Sequence, residues 1–600
     1  MLFTIVRSHT LIALFLTCPL VGAPTRTSAP VVESASDLGV GRMIADQTFK
    51  DLAGRQHRLS EMAQRQGLVI AMSSATCPIS KRYLPSLRAL EKNLAEQGLS
   101  LLVVNAMAGE KGEQIQSQLS EAGLSAPYLH DRDGAIAKSL GARTTAEVFL
   151  LDRRLTLRYR GALDDQYGVD YSRETPTRRY LFAAITEMLA GRPISASATS
   201  APGCELDLKP SVGPAVATTY HRDVARILQQ NCVRCHHDDG IAPFPLDELG
   251  SVKDHAKAIK RVLVEGTMPP WFAAPPKDGG PSPFANDCSL GRKDKADLIA
   301  WIDSKDRPLG DPAEAPVPLT FAGEWTIGQP DAIIPLSKAY VINASGVMPY
   351  QTDVVTTTFP EDKWVKAYEI IPSARDVVHH VIVMVHPPGA KLVSGGAENY
   401  WAIYVPGNSA RVFDDGIARK LPAGARISFQ IHYTPSGKIV EERMRLGLIF
   451  AKEAPRLEMR TVGVANHKLS IPPNASAHVE TKTQRVPFDL TVTNLLAHMH
   501  VRGKAFKYEL IHPDGREELL LDIPHYDFNW QLRYDFKQPR VLPRDSSLRL
   551  TAVYDNSVGN RANPDPSKTV NWGQQTYDEM MIGYLEYVVP AGQKSRLKAR

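Results

Sequence analysis

From about residue 313 to 595 the chain shows no long helical period. It runs instead through prolines and short alternating stretches such as "VVHHVIVMV", "RISFQIHYT" and "SLRLTAVYD". Alternation puts successive side chains on opposite faces, so one face of each stretch is apolar and has to be covered. About 280 residues of that pattern predict stacked antiparallel sheets, and the length suits two β-sandwiches, over 313–482 and 483–595.

Upstream the rhythm is different. Residues 38–195 alternate apolar runs ("GLVIAMSS", "LSLLVVNAM", "AEVFLLD") with helical periods ("YLPSLRALEKNLAEQG", "KGEQIQSQLSEAG"), the order of a small α/β domain. Residues 215–312 carry apolar positions at three- and four-residue spacing in "YHRDVARILQQ", "DHAKAIKRVLVEG" and "RKDKADLIAWIDS", which predicts an all-α unit. Polar or Ser-, Ala- and Pro-rich tracts at 24–37 and 196–214 read as linkers. Four units in 600 residues agree with about 150 residues per domain.

The opening "MLFTIVRSHTLIALFLTCPLVGA" has Arg7, an apolar run too short to span a bilayer, and the small residues Val21-Gly22-Ala23. It reads as a signal peptide, 1–23, cleaved near Ala23, so the expected location is periplasmic or secreted, without a transmembrane anchor. A net charge of +5 with no basic run excludes nucleic acid as the expected partner. Of six cysteines, Cys18 leaves with the signal and Cys232 and Cys235 form one motif. Cys204 and Cys288 are then free to form a disulfide in an oxidising compartment, and Cys77 is odd.

"NCVRCHH" contains Cys232-Val233-Arg234-Cys235-His236, a C-x-x-C-H sequence. Two thiols at this spacing form thioethers with haem vinyls and the adjacent His ligates the iron, which predicts haem c. Zinc would need a second ligand pair, and none follows at suitable spacing. "EGTMPPWF" offers Met268 as the sixth ligand, with His237 and His255 as rivals. The segment resembles the small cytochrome c modules of multidomain bacterial proteins, with "IAPFPL", "MPPW" and "LIAWIDS" as further matching pieces.

Histidines cluster in the β-rich part: His379 and His380, His432 in "FQIHYT", and His498 and His500 in "LLAHMHVRGKAF". His498 and His500 share parity on a strand and therefore a face. His379 and His380 do not, so their joint use demands a bulge or a strand end. Two rings with a thioether make a soft mixed set that accepts Cu(I) as well as Cu(II). "HH", "QIHY" and "HMH", closed by the "DEM" of "NWGQQTYDEMMIGYLEY", resemble the copper type II, ascorbate-dependent monooxygenases. That family includes peptidylglycine α-hydroxylating monooxygenase and dopamine β-monooxygenase.

The resemblance implies two jelly-roll sandwiches carrying two copper ions. His379, His380 and His432 would hold the electron-transfer copper; His498, His500 and Met580 would hold the copper that meets molecular oxygen. It implies C–H hydroxylation of a small-molecule or peptide substrate. A tyrosine four residues after the Met is kept as Tyr584, but the family's substrate-anchoring Arg is Leu496 and an intervening Asn is Ile582. These departures argue against the amidating activity. The haem would replace ascorbate as the route for electrons, drawn from a carrier protein or a quinol pool.

"SSATCPISKRYLPSL" places Cys77 at a helix N-terminus, a position that lowers a thiol pKa. The segment resembles the thioredoxin-like redoxin family. The second cysteine of C-x-x-C is Ser80, and the proline before the later strand is Ala146. Two further functions stay open: electron transfer or copper handling without substrate turnover, and a thiol-dependent peroxidase with accessory domains.

Overall fold

The computed structural model describes residues 30–593, apart from 169–170, 207, 209–216, 239, 278–279, 322–323, 347 and 393–399. The expected signal peptide and cleavage point lie outside the described residues. Among those described, no helix is long and apolar enough to cross a membrane.

The N-terminal unit is a five-stranded sheet in the order Tyr128–His130, Leu99–Asn105, Gly67–Met72, Val148–Asp152, Leu157–Gly161. The first three strands run parallel and the last two antiparallel. Gly67–Met72 is buried at every position, because helices cover both faces of the sheet. Val69, Leu101 and Val103 enter one core, while Leu68, Ile70, Leu102 and Val104 enter the other. Each such burial is worth roughly 1.5–3 kcal/mol, which fixes the strand ends and the turn that follows Met72.

Four helices (Ala225–Asn231, Leu249–Asp254, Ala256–Glu265 and Arg292–Asp303) pack around Val224, Leu228, Leu298 and Trp301. This helical segment is fastened to the N-terminal unit. Buried Arg226 donates to Thr156 Oγ1 and to the carbonyls of Arg154 and Glu314, and Arg42 pairs with Asp294 and Asp297.

The rest is β-rich. One sheet of nine strands backs both sandwiches. Its first half, with Lys363–Ile371 and Arg445–Phe450, packs against a four-stranded sheet made by Gln351–Thr356, Arg426–Tyr433, Val378–His386 and Tyr400–Tyr404. Its second half, with Leu490–His498 and Ile582–Pro590, packs against His478–Arg485, Ser547–Tyr554, Gly503–Ile511 and Glu517–Ile523. A short parallel pairing, Ile417 with Leu457 and Ala418 with Glu458, joins the halves. The strands Leu457–Ala465 and His478–Arg485 therefore already pair within the second sandwich, ahead of the 482/483 division expected from the sequence. Alternation tells which face of a strand is apolar but not which strand lies beside it.

Candidate metal centre and thiol site

The strand Val378–His386 pairs with Arg426–Tyr433, and the register slips between Val378 and His380. That bulge is the device the sequence demands: it turns His379 toward the same side as His380, whose cross-strand partner is His432. One ligand-type atom from each of the three rings falls within 4.8 Å of the others. His379 Nδ1 and His380 Nδ1 are 3.0 Å apart.

In the second sandwich the strand Leu490–His498 ends at the first ring of the H-x-H pair. Met499 turns into the core and is fully buried there, while the rings of His498 and His500 stand 5.3 Å apart on the other side. The two sets face each other across the seam between the sandwiches, with His380 and His498 rings 6.3 Å apart. Phe528 wedges between them, stacked on His379 at 4.7 Å and 6.1 Å from His500. Met580 and Tyr584 line the same cavity as His380, His498, His500 and Tyr350.

A carboxylate hidden in "DEM" organises the second set. Glu579 accepts the backbone N–H of His500 at 2.8 Å, of Arg502 at 2.7 Å and of Met580 at 3.2 Å. Burial pushes its carboxyl up to about 7, against the pull of those donors. His500 Nδ1–H donates to the Asp578 carbonyl at 3.1 Å, and His498 Nδ1–H donates to Gln531 Oε1 at 2.6 Å. These bonds set the tautomers and leave Nε2 on each ring for another partner.

Burial lowers every ring: His432 and His500 to about 3, His498 to about 4, and His380 well below its ordinary value. All are neutral near pH 7, the state with a free lone pair. His379 Nε2, His432 Nδ1 and His500 Nε2 are buried without a hydrogen-bond partner. A buried unpaired polar atom costs about 1–3 kcal/mol, so three in one seam are a burden that a cation would relieve. The donor set of imidazoles plus a thioether fits copper. His386 is separate, bonded to Ser428 Oγ at 3.0 Å.

In the helical segment, Cys232, Cys235 and His236 follow the helix Ala225–Asn231. His236 Nδ1–H donates to the Phe244 carbonyl at 3.0 Å, leaving Nε2 free of that bond. His255 stacks on Phe244 at 3.7 Å, His237 stacks on Phe321, and Met268 is half-buried on the turn after Ala256–Glu265. Arg234 donates to the Gly407 carbonyl at 3.3 Å, and a Cβ at Gly407 would lie 4.0 Å from Cys235 Sγ. The motif thus abuts the Val405–Asn408 turn, and Val405 belongs to the apolar cluster that holds Met580 and Tyr584.

The expected Cys204–Cys288 disulfide is corrected. Cys288 lies by Cys232 and Cys235, with its thiol donating to the Pro270 carbonyl at 3.4 Å. Cys204 instead meets Cys77, and all five of these thiols are free. Counting cysteines by elimination ignored where the chain folds them.

Cys77 caps the helix Pro78–Glu96, whose first residue is a proline with no N–H to leave unpaired. Glu110 clamps the turn before it, accepting from Ser74 Oγ, Ala75 N–H and Thr76 N–H. Burial raises the Cys77 pKa, but hydrogen bonds from the Thr145 hydroxyl, the Ser80 N–H and the Cys204 thiol outweigh it and bring it to about 7.

Residues 40–160 match the AhpC/TSA family. Similar solved structures include a hypothetical protein from Sinorhizobium meliloti (26% identity, 31% of this chain, 100% of that chain, TM-score 0.26) and an uncharacterized conserved protein from Geobacillus kaustophilus (24%, 32%, 100%, 0.27). A third is peroxidoxin BcpB from Mycobacterium tuberculosis (18%, 26%, 97%, 0.21). No curated protein matches the chain. The N-terminal unit is a thioredoxin-like redox domain of the AhpC/TSA kind, followed by a β-rich region of many strands.

Glu579, Gln531, Phe528 and Tyr350 were not singled out from the sequence. Only Glu579 had a signal, its place inside the "DEM" already chosen for its methionine.

Proposed function

We propose that the β-rich region is a copper-dependent monooxygenase that hydroxylates a C–H bond of a small-molecule or peptide substrate with molecular oxygen. His379, His380 and His432 hold one copper, and His498, His500 and Met580 hold the other. The observation that carries this reading is the convergence of five neutral rings and a thioether on one seam, with three buried ring nitrogens unpartnered. Bound copper supplies one-electron redox chemistry and oxygen activation.

The protein's own groups prepare the site. Asp578 and Gln531 fix ring orientation, Glu579 holds the H-x-H turn, and Phe528, Ile382 and Met384 keep water out. Tyr350 and Tyr584 line the small cavity beside the rings. Cys232 and Cys235 would hold haem c, with His236 and Met268 as the residues that would ligate it, and the group would supply one-electron redox chemistry fed from a carrier protein or quinol pool. The packing of the motif against the Val405–Asn408 turn supports that route. On this reading the protein works in an exported compartment.

The test is metal analysis and an absorbance spectrum of the full chain expressed with export and haem attachment. Copper at both sets and a c-type haem are expected. Zinc in the seam would overturn the reading. Oxygen uptake that never yields a hydroxylated product would shift it to electron transfer or copper handling.

A second reading concerns the N-terminal domain. The family match and the acidified Cys77 support thiol redox chemistry there, including thiol-dependent peroxide reduction. Cys77→Ser is expected to abolish that activity and His498→Ala to leave it intact.

A further inference from the structure

Cys204 lies outside the segment that matches the AhpC/TSA family, yet the chain brings it back to the active turn. Thr144 pairs with Glu205 in an isolated antiparallel bridge. Thr145 N–H donates to the Cys204 carbonyl, and Cys204 N–H donates to Thr145 Oγ1, each at 3.0 Å. Gly203 stands at φ 119°, and a Cβ there would come within 2.9 Å of Ala146 N and 3.0 Å of Thr145 Oγ1. Only glycine lets the segment approach this closely.

The result seats the Cys204 thiol in hydrogen-bond contact with Cys77 Sγ. Cys77 is 2% exposed, whereas Cys204 is on the surface. Ser80, at the usual position of a second thiol, carries a hydroxyl that donates to the Thr145 carbonyl at 2.6 Å.

We infer that Cys77 and Cys204 form a dithiol–disulfide couple in which exposed Cys204 meets a disulfide-bonded partner and buried Cys77 resolves the adduct. The inference rests on the thiol reading of this domain and names its second residue and substrate class. Cys204 Sγ attacks one sulfur of R–S–S–R while its proton passes to the Cys77 thiolate; a Cys204–S–S–R bond forms and R–S⁻ leaves. R–S⁻ takes the proton from Cys77. The Cys77 thiolate then attacks Cys204 Sγ, forming the Cys77–Cys204 bond and releasing the second R–S⁻. The partner gains two electrons and the pair loses two.

The experiment incubates the reduced, haem-loaded full chain with oxidised glutathione, quenches by alkylation and maps disulfides by mass spectrometry without reduction. Wild type is expected to yield the Cys77–Cys204 link. Cys77→Ser is expected to hold glutathione on Cys204, and Cys204→Ser to modify Cys77 about tenfold more slowly because that thiol is buried. A wild-type chain that stops at a glutathione adduct on Cys77, or links Cys204 to Cys288, overturns the pairing and leaves the thiol reading standing. Cys77 and Cys204 left unmodified in every chain that carries them would overturn both.

Discussion

The thiol turn and the histidine seam both bury reactive side chains, but they are assembled over different distances. Ser74, Thr76, Cys77 and Ser80 come from one strand-to-helix turn, with Glu110, Thr145 and Cys204 closing in from outside. The seam draws on the strands Val378–His386, Arg426–Tyr433 and Leu490–His498 and on the Asp578–Met580 turn, which lie in two sandwiches. A local turn tunes one group through hydrogen bonds. A seam depends on sheet register and on whatever holds the two sandwiches together.

The difference sets the expected size of each perturbation. Glu579→Ala is predicted to act most strongly: it strips the acceptor from three backbone N–H groups, and about 3 kcal/mol or more of stability should go with it. Denaturant unfolding and copper counting should show loss at His498, His500 and Met580 with the Cys77 thiol unaffected. If copper stays, the seam is not held as described.

His432→Ala is predicted to weaken copper at the first set on the order of 100-fold, with a stability change under about 1 kcal/mol, because the ring nitrogen it removes is unpaired in the apo chain. Competition with a chelator reads this directly. An equal loss at the second set would mean that the sets are one site.

Gln531→Leu should matter less. It removes the bond that orients His498 and a long donation to the Phe528 carbonyl, so about a tenfold drop in affinity at the second set is expected.

The smallest effect belongs to the turn. Thiolate absorbance, taken as wild type minus Cys77→Ser, should rise with a midpoint near pH 7. Thr145→Val takes a donor from the thiolate, which favours the protonated form, so the midpoint should move up by about half a unit. A midpoint that stays put would show the turn is not tuned by those bonds.

Much of this was legible in the sequence, for identifiable reasons. Neighbouring histidines, C-x-x-C-H and a helix-capping cysteine are residue types whose chemistry outweighs packing, so they stand out without a fold. The alternation of "VVHHVIVMV" called for a bulge or a strand end, and the register slip at His379 is the bulge. Gln531 and Phe528 gave no signal, because their roles exist only once the second sandwich meets the first. Cys204 was assigned to Cys288 by elimination, whereas Gly203 and the bridge at Thr144 carry it to Cys77. The shared sheet was equally hidden, since the pairing of Ile417 with Leu457 joins strands whose patterns say nothing of each other.

X-ray absorption at the copper edge of the Cu(I)-loaded full chain reads the ligands at the seam. A sulfur scatterer is predicted in the wild type and its loss, with copper retained on His498 and His500, in Met580→Leu. A wild-type spectrum showing nitrogen and oxygen ligands alone would contradict the joint ligation of rings and thioether at the seam.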